Sequence, residues 1–279
     1  MKSTTQLRQL LNSNQTILAP GAFDGLSARL VEQQGFQLIY ASGGAIARST
    51  GRPDIGLLTM TEISQTLATL VEVTTLPIIA DADTGYGNVW NVERMVHAFE
   101  ATGIAAIHME DQEFPKRCGH LAGKALISTA EMRDKIKVVQ RVKSDPDFIL
   151  IARTDAIAVE GFDKALDRAK AYLDAGADMI FVEAPETIKQ IERIAQTITQ
   201  PKLINMFHGG KTPLVSKQRL HELGYNIIII PSDLQRAAIQ AMQKTLKVIY
   251  ENGDSQAVAD QLTSFKEREQ IIDSARYLT

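Results

Sequence analysis

Among 279 residues there is one cysteine, Cys118, so no internal disulfide can form and the lone thiol needs a reason of its own. No apolar run approaches the length that spans a bilayer, and residues 1–15 lack the apolar core of a secretory signal. A cytoplasmic protein without membrane contact is expected. The net charge is only −3, with Lys and Arg scattered along the chain, which argues against nucleic acid and for a small-molecule partner. Low-complexity segments, linkers and tandem repeats are missing as well. With 44% hydrophobic residues, the chain is expected to fold as a single domain over 1–279.

What is present is an alternation. Short β-branched runs at 16–19, 38–41, 77–81, 104–110, 148–153, 179–183, 202–205 and 226–230 are separated by stretches with apolar residues at helical spacing. Eight strand–helix units predict an α/β fold, a (β/α)8 TIM barrel over about 16–250, with 253–279 as extra C-terminal helices. An open doubly wound sheet would share the periodicity. Glycines 35, 103 and 176 follow helical stretches and suit left-handed caps.

In a barrel, reactive groups belong at the C-terminal ends of strands. The third unit ends in Asp81-Ala82-Asp83, two carboxylates on one side of a strand, which favours a hard cation such as Mg²⁺ unless they merely cap the turn before Asn88. Glu110 ends the fourth unit and could complete that site through water. Arg153, Glu183 and Asn205 end the fifth, sixth and seventh, offering a carboxylate clamp, an acid/base group and an amide. The stretch 114–121 is the most unusual: Lys116, Arg117 and His120 surround Cys118 and Gly119, a setting that favours proton exchange by the thiol. Burying those cations unpaired is costly, so the segment is expected to face solvent when the site is empty and to order over an anion. Tyr40 precedes Ser42-Gly43-Gly44, whose amides and hydroxyl suit a carboxylate.

Taken together these motifs resemble the isocitrate lyase and phosphoenolpyruvate mutase superfamily, over about Leu18 to Ser232. Lys116-Arg117-Cys118-Gly119-His120 is similar to the signature of its carbon–carbon lyase branch, and 81–87 to its metal-binding turn. The resemblance implies a homotetramer whose eighth helix is exchanged between paired subunits, and Mg²⁺ near Asp81, Asp83 and Glu110, with Mn²⁺ as a substitute. It implies catalytic roles for Cys118, His120, Arg153, Glu183 and Tyr40. Ser42, Gly43, Gly44, Asp54, Lys116, Arg117, Gly119, Asn205 and Arg236 would bind substrate. The activity implied is cleavage of a 2-hydroxy di- or tricarboxylate of the 2,3-dimethylmalate or 2-methylisocitrate type, Cys118 protonating the carbanion. Tyr40, Glu183 and a hydroxide on the metal are open as the base.

The alternatives are hydrolysis or decarboxylation of oxaloacetate, phosphonate chemistry, whose branch lacks the cysteine signature, and a non-catalytic binding barrel. After the seventh strand this chain has Asn205-Met206-Phe207-His208-Gly209-Gly210-Lys211-Thr212-Pro213, where methylisocitrate lyases resemble Asn-x-Thr-Glu-Phe-Gly. The loop 42–54 is also one residue shorter. Methylisocitrate is therefore not the expected best substrate.

Overall fold

The computed structural model describes residues 1–119 and 123–278. Its centre is a closed barrel of eight parallel strands in sequential order, which excludes the open sheet. The chain runs α1 (Ser3–Asn12), β1 (Ile17–Ala22), α2 (Gly25–Gln33), β2 (Ile39–Ala41), α3 (Gly43–Ser49), α4 (Met60–Val73), β3 (Ile78–Asp81), α5 (Val89–Thr102) and β4 (Ala106–Glu110). It continues through α6 (Thr129–Val142), β5 (Ile149–Thr154), α7 (Ile157–Glu160), α8 (Phe162–Asp174), β6 (Met179–Val182), α9 (Ile188–Thr197) and β7 (Lys202–Asn205). Then come α10 (Lys217–Glu222), β8 (Ile227–Ile230), α11 (Asp233–Asn252) and α12 (Phe265–Ile271), with short 3₁₀ turns at Gln256–Gln261 and Ser274–Tyr277.

The strands are buried on both faces because helices cover the outside and side chains fill the inside, which is why they read as continuous apolar runs. Inside the barrel Ile17, Leu38, Ile79, Ile149, Phe181 and Leu203 pack together, and α1 adds Leu7 to this cluster. The polar N-terminal stretch hid that helix; it is anchored by Arg8, whose Nη2 donates to Asp178 Oδ1 at 2.7 Å. Outside, the apolar stripes of α4, α5, α6 and α8 pack against the strands in one continuous layer. The left-handed caps are present at Gly35, Gly103 and Gly176, with φ of 85°, 90° and 110°.

Register brings the reactive residues to one rim. Asp81 lies beside His108, Glu110 beside Arg153, Arg153 beside Phe181, and Asn205 beside Ile229. Among the described residues no helix is long and apolar enough to cross a membrane.

Candidate active site

At that rim a cavity of ≈ 270 Å³ is lined by residues from six of the units and the 116–119 segment, including Tyr40, Ser42, Asp81, Cys118, Arg153, Glu183 and Asn205. Gly44, Asp54, Lys116, Gly119 and Arg236 also line it. Asp83 and Gly43 line a narrow crevice beside it, which shares Asp54 and Asp81. Arg117 does not line the cavity: it is exposed, and Gln112 grips its backbone, Oε1 accepting from its N–H at 2.9 Å. His120 lies outside the described residues.

The Asp81–Asp83 turn is not needed as a helix cap. Asn88 caps α5, its side chain accepting from the N–H groups of Trp90 and Asn91, and this leaves both aspartates to the rim. Asp83 adopts a left-handed backbone conformation, φ 46°, and donates its N–H to Asp81 Oδ1 at 3.0 Å. Burial, the largest influence, pushes the Asp83 carboxyl up to about 6, against the pull of Lys116. Burial would raise Asp81 too, but His108, Lys116 and Arg153 outweigh it and hold Asp81 below the usual carboxylate range. Glu110 is fully buried and pushed well up by burial; neither of its carboxylate oxygens has a hydrogen-bond partner among the described residues, although Arg153 Nε lies 3.3 Å from Oε2.

The segment carrying Cys118 departs from expectation in one respect. Lys116 is not solvent-facing: it is only 4% exposed, because its ammonium is paired, on Asp54 and 2.8 Å from Asp83 Oδ1. Pairing removes the cost that argued against burial. Cys118 is half-buried and faces the cavity. Gly119 lies so close over the rim that a Cβ there would sit 2.6 Å from Arg153 Nη2 and 2.7 Å from Glu183 Cγ, so no other residue lets the backbone approach this closely.

Arg153 is held flat by Asp155, with Nε to Oδ2 at 2.9 Å and Nη2 to Oδ1 at 3.2 Å, and its guanidinium stacks 5.3 Å from the Phe181 ring centre. Lys124 adds a second cation to Asp155 at 2.9 Å and donates to the carbonyl of Gly119, tying the segment to the clamp. Burial would raise the Asp155 carboxyl, but Arg153 and Lys124 outweigh it and hold it down at about 2. Asp155 is itself fixed by Asp111, whose Oδ1 accepts its N–H at 2.9 Å while Oδ2 takes the hydroxyls of Thr154 and Tyr172, each at 2.7 Å. Sequence reasoning missed Lys124, Tyr172 and the anchoring role of Asp111, since Lys124 and Asp111 reach Asp155 across 31 and 44 positions and Tyr172 reaches Asp111 across 61.

On the opposite side Tyr40 Oη lies 2.6 Å from His108 Nε2. Burial lowers the His108 imidazole to about 4, against the pull of Asp81, and burial with Asp81 nearby lifts the Tyr40 phenol well above its ordinary value. Ser42 caps α3, accepting from the Ala45 N–H at 3.3 Å. A Cβ on Gly43 would come within 2.7 Å of Asp81 Oδ2, so this loop can lie against the carboxylate only with glycine there.

Does this rim suit a divalent cation? Among the described residues no three or more ligating side chains converge on one point. Yet among the described residues the rim acids Asp54, Asp81, Asp83, Glu110, Asp155 and Glu183 outnumber the rim cations Arg48, Lys116, Lys124, Arg153 and Arg236, and neither oxygen of Glu110 has a hydrogen-bond partner. An all-carboxylate donor set with surplus negative charge fits Mg²⁺ held largely through water.

The chain is similar to several known proteins. A family model described as phosphoenolpyruvate phosphomutase matches residues 7–250. A 2,3-dimethylmalate lyase from Eubacterium barkeri is 42% identical over 268 residues, 96% of this chain and 93% of that protein. A 2-methylisocitrate lyase from Aeropyrum pernix is 42% identical over 256 residues, 92% of this chain and 82% of that protein. The solved structure of oxaloacetate acetylhydrolase in complex with the inhibitor 3,3-difluorooxalacetate matches with a TM-score of 0.94 at 31% identity, covering 99% of this chain and 95% of that one.

Proposed function

We propose, from the premise that the chain belongs to the phosphoenolpyruvate phosphomutase family and is a carbon–carbon lyase, that it cleaves a 2-hydroxy di- or tricarboxylate of the 2,3-dimethylmalate or 2-methylisocitrate type. The products are pyruvate or another 2-oxo acid and a carboxylic acid. The observation that carries this reading is the placement of Cys118 on the cavity wall, with Gly119 lying over Arg153 and Glu183.

Arg153 and the amides of Gly43 and Gly44 hold the carboxylate of the hydroxyl-bearing carbon. Of the protein groups able to take the hydroxyl proton, Tyr40 is disfavoured, because burial makes its phenolate costly. Glu183, which lines the cavity beneath Gly119, is assigned that proton, and Tyr40 and Asn205 donate to the substrate's oxygens. As the carbonyl forms, the carbon–carbon bond breaks and its electron pair passes to the other fragment. The Cys118 thiol delivers a proton to that carbon. Mg²⁺, or Mn²⁺ in its place, supplies Lewis-acid stabilisation of the oxygens of the oxo acid when held by Asp81, Asp83 and Glu110.

The twenty-residue helix α11 buries only Gln235 and exposes Ile239, Met242, Leu246 and Ile249 at helical spacing. Such a stripe supports exchange of this helix between paired subunits and a tetramer of two such pairs. The composition and the single cysteine support a cytoplasmic setting.

The test is a panel of 2,3-dimethylmalate, 2-methylisocitrate, isocitrate, oxaloacetate and phosphonopyruvate, assayed for products with Mg²⁺ and with chelator. Dimethylmalate is expected to exceed methylisocitrate, because the 205–213 loop departs from the methylisocitrate lyase pattern. A wide margin for methylisocitrate would show that loop to be irrelevant. Release of oxalate and acetate from oxaloacetate, without cleavage of any hydroxy acid, would favour the second reading, which the likeness to oxaloacetate acetylhydrolase supports.

A further inference from the structure

Four cations line the cavity: Arg48, Lys116, Arg153 and Arg236. Three are offset by carboxylates, Lys116 by Asp54 and Asp83, Arg153 by Asp155, and Arg236 by Asp233 at 3.3 Å. Arg48 alone has no ion-pair partner among the described residues; the acid close to it, Asp54, is taken by Lys116. Its guanidinium is nevertheless aimed. Arg48 Nε donates to Gln235 Oε1 at 3.1 Å, and Gln235, 6% exposed, is fixed in turn by donating Nε2 to the carbonyl of Ala45 at 2.8 Å. A Cβ on Gly44 would lie 3.1 Å from Arg48 Nη2, which places the charge beside the loop assigned to the substrate's first carboxylate.

We propose that Arg48 is the specificity-determining residue that binds the second carboxylate of the substrate, the one on the carbon released as a carbanion, and so restricts the enzyme to 1,4-dicarboxylate backbones. This rests on the lyase reading above. When the bond between the hydroxyl-bearing carbon and its neighbour breaks, the electron pair moves onto the neighbour and into its carboxylate, whose oxygens gain negative charge until Cys118 supplies the proton. A guanidinium on that carboxylate binds the transition state more tightly than the substrate, so it acts on the chemical step as well as on binding. Phe207, Pro231 and Ile239 line the same cavity and provide apolar contact for short alkyl substituents.

The experiment compares wild type, Arg48→Gln and Arg48→Lys by calorimetric binding of malate, a 1,4-dicarboxylate, and of oxalate, which fills only the oxo-acid half. Arg48→Gln is expected to weaken malate at least ten-fold and leave oxalate within two-fold, with Arg48→Lys recovering part of the loss. In turnover of 2,3-dimethylmalate, Arg48→Gln is expected to raise KM and lower kcat, each about ten-fold. Unchanged malate affinity, or equal loss of malate and oxalate, would overturn the assignment. If the binding contrast held but wild type cleaved no hydroxy acid, the lyase reading would fall while Arg48 kept its role in carboxylate recognition.

Discussion

The ammonium of Lys116 lies 2.8 Å from Asp83 Oδ1, so the segment that carries Cys118 is fastened to the carboxylates at the end of the third strand. The same ammonium rests on Asp54. Together Asp54, Asp81, Asp83 and Glu110 hold it well above its ordinary pKa, despite burial that would lower it. The position of the thiol and the charge of the Asp81–Asp83 turn are therefore linked through one side chain.

Lys116→Met would leave these acids without their cation. The metal-free variant should lose about 3 kcal/mol of stability, the scale for breaking a buried pair, and Mg²⁺ should restore more of its Tm than it adds to wild type. Thermal melts with and without MgCl₂ read both effects. Equal Mg²⁺-induced shifts in the two proteins would separate Lys116 from the cation site.

Asp81→Ala and Asp83→Ala should abolish Mg²⁺-dependent turnover and the calorimetric binding of Mg²⁺ while keeping the circular dichroism of the barrel, since neither carboxylate belongs to the apolar clusters. Turnover that survives a chelator in wild type would contradict this.

Much of this arrangement was legible beforehand. All eight strands fall within three residues of the apolar runs at either end. The rim groups Asp81, Glu110, Arg153 and Asn205 were readable because each ends an apolar run. What could not be read was their pairing. Nothing local shows that Asp155 would be held by Lys124 and Asp111, 31 and 44 positions away, or that His108 would meet Tyr40 across 68 positions. The burial of Lys116 escaped for the same reason, because its partners Asp54 and Asp83 lie far back in the chain. Helix α1 was missed because its few buried positions are scattered among polar ones.

Asp155 makes an acid-stability prediction. Its carboxyl is held at about 2 in the folded protein against 3.8 ordinarily, so the unfolded chain binds more protons between those values. The contribution is present above pH 3.8 and is lost as pH falls through 2, on the order of 2 kcal/mol. Urea unfolding between pH 2.5 and 4.5 should show wild type losing stability across this window. Asp155→Asn should start lower and fall less steeply. Parallel curves would mean that Asp155 is not held by its cations.

Cys118→Ser should still bind oxalate but slow the chemical step by about two powers of ten or more, since a hydroxyl is a far weaker acid than a thiol. Iodoacetamide should inactivate wild type, and an oxo acid with Mg²⁺ should protect it. A Ser variant as fast as wild type would make Cys118 a bystander.

The central claim is the bond that breaks and the carbon that is protonated afterwards. Its most direct test is cleavage of 2,3-dimethylmalate in D₂O, with the products analysed by mass spectrometry and NMR. The account predicts pyruvate and propionate in equal amounts, the propionate bearing one deuterium at the carbon that was bonded to the hydroxyl-bearing centre. Cleavage yielding no 2-oxo acid, or no cleavage alongside brisk conversion of oxaloacetate to oxalate and acetate, would contradict it.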